Sequence, residues 1–174
     1  MLTAGIKFTN FKHKLNNKKV LKNFKIILND NNEVLNSLGR FYKNSFNQKK
    51  LKKFYKTSYF RIIGMGGSSL GAKAIYDFLK NKIKKKFEFI DNLKPKYTQF
   101  NKKKITNIII SKSGNTTETI VNTNELIKKN DQNIFITEKK DSYLYILAEK
   151  LKADIIHHNN YIGGRYSVLS EVGM

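Results

Sequence analysis

From Ser58 onward the chain alternates short apolar runs with stretches of helical spacing, and this order restricts its fold more than any other feature. The apolar runs fall at 59–64, 87–90, 106–110, 133–137 and 153–157. They are rich in β-branched and aromatic residues with little polar alternation, as expected of strands buried on both faces of a parallel sheet. Between them, 70–83, 116–129 and 142–151 repeat apolar residues at helical intervals, and a further helix is expected over 166–174. The pattern predicts an α/β domain, a doubly wound five-stranded parallel sheet flanked by helices, over 58–174. With strand order 2-1-3-4-5, the loops after the first and third strands flank the topological switch point, where such sheets bind ligands. Residues 1–57 read as an N-terminal extension. It is irregular over 1–28, then helical from about Asn29 to Tyr55, with Asp30 or Asn31 as cap and the lysine run 49–56 at the helix end.

The charge is large, with Lys+Arg 34 against Asp+Glu 13 and a net +21 over 174 residues. A polyanion partner is the obvious reading of such a balance. Readers of nucleic acid lean on the planar arginine fork, however, and this chain has 31 Lys and only Arg40, Arg61 and Arg165. Lys, Asn and Ile make up 72 residues, the bias of A- and T-rich codons. Residues 1–104 hold 26 cations and 5 acids, whereas 105–174 hold 8 of each. The excess is therefore read as a solvated lysine surface, and nucleic acid is not expected as a partner. The absence of cysteine excludes disulfides, thiol nucleophiles and Cys-ligated zinc. No apolar run approaches 18 residues and no signal-peptide pattern is present, so a cytoplasmic protein without a membrane partner is expected. His157 and His158 close the fifth strand and alternate in direction, so no metal site is expected from them.

Three segments carry chemistry. The first, 64–71 (GMGGSSLG), places glycines and serines between a strand and a helix, a cradle for an anion or polar ligand. It fails as a Walker A loop because Ala72 intervenes before Lys73. It also lacks the third glycine of a dinucleotide fingerprint, although Asp91 stands where a ribose-binding acid would sit. The second, 111–119 (SKSGNTTET), has five hydroxyl residues within nine positions after the cleanest strand. Hydroxyls and free N–H groups at a helix start suit a dianionic phosphate, and Asn115 with Glu118 resembles a capping box. In the third, 163–170, a glycine pair precedes Arg165, the only Arg in the last 113 residues and a fixed cation suited to negative charge developing on oxygen.

Together, 64–71, 111–119 and 163–173 (GGRYSVLSEVG) resemble three successive motifs of the phosphoglucose isomerase family, from about residue 58 onward. That family is built of two sugar-isomerase (SIS) domains, and this chain is similar to the N-terminal one. The resemblance implies that Ser111, Lys112, Ser113 and Thr116 hold the substrate phosphate. It implies that Gly67, Ser68 and Gly164 line the sugar, and that Arg165 stabilises the enediolate. The implied reaction is reversible glucose 6-phosphate to fructose 6-phosphate conversion by proton transfer through a cis-enediol, with no cofactor and no metal. In the family the base and ring-opening residues, a Glu, a His and a Lys, follow the third motif. This chain is thus expected to bind phosphosugar without turning it over, and to dimerise only as part of a longer protein. Asn115 departs from the family, which usually has Thr there. The competing readings are a non-catalytic SIS module that binds phosphosugar and a dinucleotide-binding domain.

Overall fold

The computed structural model describes residues 18–95, 97 and 104–173, except the side chains of Arg165 and Leu169. The chain divides into two compact units, 1–42 and 43–174.

The described part of the first unit holds α1 (Lys18–Asn29) and α2 (Glu33–Asn36). Helix α1 corrects the expectation of irregular chain over 18–28; the part of it over 1–17 lies outside the described residues. Its Val20, Leu21, Phe24, Ile27 and Leu28 recur at intervals of three and four, a helical face. The long helix expected from Asn29 to Tyr55 does not form. Asn32 instead caps α2, its side chain accepting from Val34 N at 2.8 Å, and Ser37 Oγ takes the Val34 carbonyl at 2.6 Å. Such local side-chain bonds offer the backbone an alternative to the helix ladder, and α2 stops after four residues.

The second unit opens with α3 (Gln48–Leu51), capped by Asn47, and a 3₁₀ turn (Lys52–Phe54). Then follow β1 (Tyr59–Ile63), α4 (Gly67–Leu79), β2 (Lys86–Ile90), β3 (Thr106–Ile110), α5 (Thr117–Leu126), β4 (Gln132–Thr137), α6 (Tyr143–Lys150) and β5 (Asp154–His157). The sheet order is β2-β1-β3-β4-β5, all pairs parallel, as the sequence predicts. Helix α4 starts at the glycine loop itself, three residues before the expected start. The helix expected over 166–174 is instead a 3₁₀ helix, Gly164–Leu169, that ends in turns.

Parallel pairing fixes which side chains share a face. On one face, Ile63, Ile90, Ile109 and Phe135 are buried with Leu144 and Ala148 of α6, while Ile120 and Leu126 of α5 pack against them. On the other, Ile62, Ile110, Ile136 and Val172 meet Ala72 of α4, and Phe54, Phe60 and Ile134 form a neighbouring cluster. A cavity of about 310 Å³ on that second face is lined by Ile62, Ile110, Ile136, Tyr76 and Phe46 among others. No hydroxyl of the three singled-out segments lines it, although Glu171, Val172 and Gly173 do.

Candidate phosphate-binding site

The site is assembled at the carboxyl edge of the sheet, where β1 and β3 lie side by side and their helices leave for opposite faces. The loop after β3 is folded on its own hydroxyls. Ser111 is buried, its Oγ 3.0 Å from Thr116 Oγ1 and accepting from Gly114 N at 3.2 Å. Ser113 Oγ, half-buried, accepts from Asn115 N at 3.2 Å. Gly114 adopts φ +67° and its carbonyl accepts from Leu144 N at 3.0 Å.

Two helices begin here, and their N-termini meet different fates. Asn115 Oδ1 accepts from Tyr143 N at 2.9 Å, so the N–H groups of Tyr143 and Leu144 in the first turn of α6 are both satisfied by the β3 loop. Helix α5 is capped by Thr116 in extended backbone with no side-chain cap bond. The capping box expected from Asn115 and Glu118 is therefore corrected: Asn115 serves the neighbouring helix. The first-turn N–H groups of α5 have no intrahelical acceptor, and with the helix dipole they suit an anion, with Ser111, Ser113 and Thr116 at their edge.

Lys112 extends away from this turn. Its Nζ donates to the Asn160 carbonyl at 2.5 Å and stands 3.7 Å from Glu138 Oε1, while Lys140 Nζ holds Glu138 Oε2 at 2.7 Å. Burial pushes the Glu138 carboxyl up, but the hydrogen bond and charge of Lys140, with the charges of Lys112 and His158, outweigh it. The group is held below its ordinary value of 4.5. A depressed folded-state pKa contributes stability above the unfolded value and loses it as pH falls through the folded one. The stability advantage of the natural chain over Glu138→Gln is thus expected to be complete above pH 4.5 and to shrink to nothing in stronger acid. Urea unfolding of both proteins at pH 6 and pH 3 checks this, and an advantage that grew in acid would contradict it.

The loop after β1 sits against this turn. A Cβ at Gly64 would lie 2.9 Å from the Ile110 carbonyl and 3.1 Å from Ser68 Cβ, so the two loops approach at backbone distance. Gly66, φ +53°, is the N-cap of α4; Gly67 and Ser68 form its first turn, half-buried. Asp91 is paired with Lys73 at 3.4 Å, which leaves the ribose-acid position of a dinucleotide fold engaged with a lysine.

The third segment closes onto the first. Ser167, fully buried, has its Oγ 2.6 Å from the Gly164 carbonyl and 3.5 Å from the Gly67 carbonyl. A Cβ at Gly71 would come within 2.6 Å of Val168 Cγ2, so the 3₁₀ helix lies directly on α4. Gly164 opens that 3₁₀ helix; Arg165 is its second residue, and its side chain lies outside the described residues. Six residues further along, buried Glu171 accepts from Ser45 N at 3.0 Å and stands 3.7 Å from Nδ1 of buried His158, whose Nε2 lies 3.2 Å from the Ile162 carbonyl. His157 points elsewhere, its Nδ1 accepting from Lys139 N at 3.2 Å.

The fold thus brings Ser111, Ser113, Thr116, Gly67, Ser68 and Gly164 to one edge of the sheet. Sequence reasoning missed Ser167, which joins the first and third segments, and Glu138, which engages Lys112. Ser167 lies within the quoted third motif, and Glu138 follows β4 at the same carboxyl edge, which is the signal that could have found each. Among the described residues no group of three His, Cys, Asp or Glu side chains stands close enough to hold a metal ion, and no helix is long and apolar enough to cross a membrane.

Comparison with known proteins places the chain in a family. The family model described as Phosphoglucose isomerase matches residues 12–174. The chain is 32% identical over 205 residues to glucose-6-phosphate isomerase of Borreliella burgdorferi (strain ZS7), covering 90% of this chain and 38% of that protein. It is 41% identical over 134 residues to the enzyme of the same name from Acholeplasma laidlawii (strain PG-8A), covering 65% of this chain and 31% of that one. Among solved structures, a hypothetical protein from Thermus thermophilus superposes with a TM-score of 0.62 at 26% identity, over 72% of this chain and 33% of its own. The chain spans about a third of the length of these relatives.

Proposed function

This chain belongs to the phosphoglucose isomerase family, and on that premise we propose that it forms the N-terminal, phosphosugar-binding part of a glucose-6-phosphate isomerase. The observation that carries the reading is the open N-terminus of α5, ringed by the Ser111, Ser113 and Thr116 hydroxyls beside the glycine loop after β1. Hydroxyls and main-chain N–H groups, including that of Lys112, take the three phosphate oxygens, and the dipole of α5 favours the dianion. Gly67, Ser68 and Gly164 line the sugar, and Arg165 stabilises the enediolate that forms between C1 and C2.

The reaction of the longer protein is reversible aldose–ketose conversion of glucose 6-phosphate and fructose 6-phosphate by proton transfer. No residue of this chain is assigned the base or the ring opening. Glu118 lies at the start of α5, and Glu171 is buried against Ser45 and His158. We take 58–174 as the sugar-isomerase domain and 1–57 as its extension. The full protein acts in the cytoplasm as a homodimer, without nucleic acid or membrane as partner.

Fructose 6-phosphate is expected to raise the melting temperature of the 174-residue chain in a concentration-dependent way, and NAD is not. Thr116→Val is expected to weaken phosphosugar binding by about 10- to 100-fold through loss of one hydrogen bond to a charged oxygen, measured by calorimetry. Stabilisation by NAD alone would overturn the reading. Coupled-assay turnover above background by the chain on its own would remove the claim that it lacks a base.

A further inference from the structure

Lys112 follows the first serine of the phosphate loop, yet its side chain is spent elsewhere. Its ammonium bridges the Asn160 carbonyl at 2.5 Å, in the loop after β5, and the Glu138 carboxylate at 3.7 Å, at the end of β4. The main chain repeats the attachment: the Lys112 carbonyl accepts from Glu138 N at 3.1 Å and lies 3.4 Å from Thr137 Oγ1. Asn160 is three residues before the glycine pair of the third segment, and Ile162 N returns to the Asn159 carbonyl at 3.2 Å.

We propose that Lys112 is a strut rather than a phosphate ligand. Its ammonium fixes the β3 loop to the β5 loop, and Glu138 is the positioning residue that holds it there. Turning the ammonium toward a bound phosphate would strip the Asn160 carbonyl of its donor. It would also leave Glu138, whose side chain is only 12% exposed, with Lys140 as its one remaining ion-pair partner among the described residues. Neutral hydroxyls and the α5 N-terminus already supply the anion site, so the lysine's charge is free for this second task. Its effect on ligand is indirect: it sets the distance between the phosphate turn and the Gly163–Gly164 backbone that faces the sugar. The ligand part of this inference rests on the phosphosugar reading above; the strut itself does not.

The test uses the whole 174-residue chain, wild type and the variants Lys112→Met, Lys112→Arg, Glu138→Gln and Lys140→Gln. Without ligand, amide hydrogen exchange over residues 158–166 is expected to quicken by about fivefold in both Lys112→Met and Glu138→Gln. It is expected to stay at the wild-type rate in Lys140→Gln and to be largely restored in Lys112→Arg. With ligand, Lys112→Met is expected to change the affinity for inorganic phosphate by less than about twofold while weakening fructose 6-phosphate by about fivefold. A loss of roughly tenfold or more in inorganic phosphate affinity on Lys112→Met, with Glu138→Gln binding as wild type, would make the lysine a ligand and overturn the proposal. Unchanged exchange over 158–166 in Lys112→Met would overturn it as well. Wild-type protein that ignores fructose 6-phosphate would count against the phosphosugar reading alone, because the exchange measurement is made without it.

Discussion

Gly114→Ala is expected to destabilise the second unit by about 2–5 kcal/mol and to open the phosphate turn. The left-handed backbone at φ +67° costs a residue with a Cβ about 1–2 kcal/mol. The added methyl carbon would also stand 2.1 Å from Ser142 Oγ, 2.7 Å from Ser142 Cβ and 3.0 Å from Thr137 Oγ1. Ser142 is 3% exposed, so the neighbour has little room to yield, and forcing a carbon into a packed site costs roughly another 1–3 kcal/mol. The strain falls on the turn itself, because the Gly114 carbonyl receives Leu144 N and its N–H reaches Ser111. Denaturant unfolding is expected to shift its midpoint with an unchanged slope. Phosphosugar affinity is expected to fall further than stability alone explains. A variant as stable as the natural chain would show that the turn relaxes freely, contrary to the contacts described.

Phe135→Ala is expected to cost about 3–5 kcal/mol, a large part of the roughly 5–15 kcal/mol that holds a domain of this kind folded. Phe135 is fully buried in β4, in register with Ile109 on β3 and Ile155 on β5. It lies in the cluster of Ile63, Leu144 and Ala148 on which α5 and α6 rest. Removing the ring leaves a void beneath both helices that frame the phosphate turn. Thermal unfolding should drop by roughly 8–16 °C. Phe135→Leu, which keeps most of the volume, is expected to lose less than about 1.5 kcal/mol. Equal losses in the two variants would mean that packing volume is not what the position supplies.

The sheet was legible because its signal is local. Runs such as TNIII at Thr106–Ile110 are apolar on both sides of the pleat, and their order with intervening helices dictates a parallel sheet. The hydroxyl-rich loop after β3 was legible for a similar reason, since hydroxyls crowd a strand-to-helix junction. What escaped depends on partners far away in sequence. Asn115 and Glu118 carry the spacing of a capping box, but Asn115 bonds to Tyr143, 28 residues on, because the start of α6 lies beside it. Arginine rarity drew attention to Arg165, yet Arg61 is as rare and is buried in β1. There it donates to Glu88 at 2.9 Å and to the Leu126 carbonyl at 3.3 Å, a fork used for structure. The break of the expected long helix at α2 escapes periodicity because it is decided by single bonds of the Asn32 and Ser37 side chains.

The contact between Gly71 and Val168 has a consequence for how the third segment is held. The two positions belong to different motifs and lie on different elements, but they share one volume: the missing Cβ of the first is filled by the methyl of the second. A side chain at position 71 cannot be accommodated by trimming residue 168 alone, because the Val168 Cβ would stand 2.8 Å away and its Cα 3.1 Å, so the backbone of the third segment itself would have to move. Any substitution at position 71 is therefore expected to lift the third segment off α4 rather than be absorbed by a smaller neighbour. The glycine at 71 thus works as a seat for the third segment, and the two segments keep their spacing only while that seat stays bare.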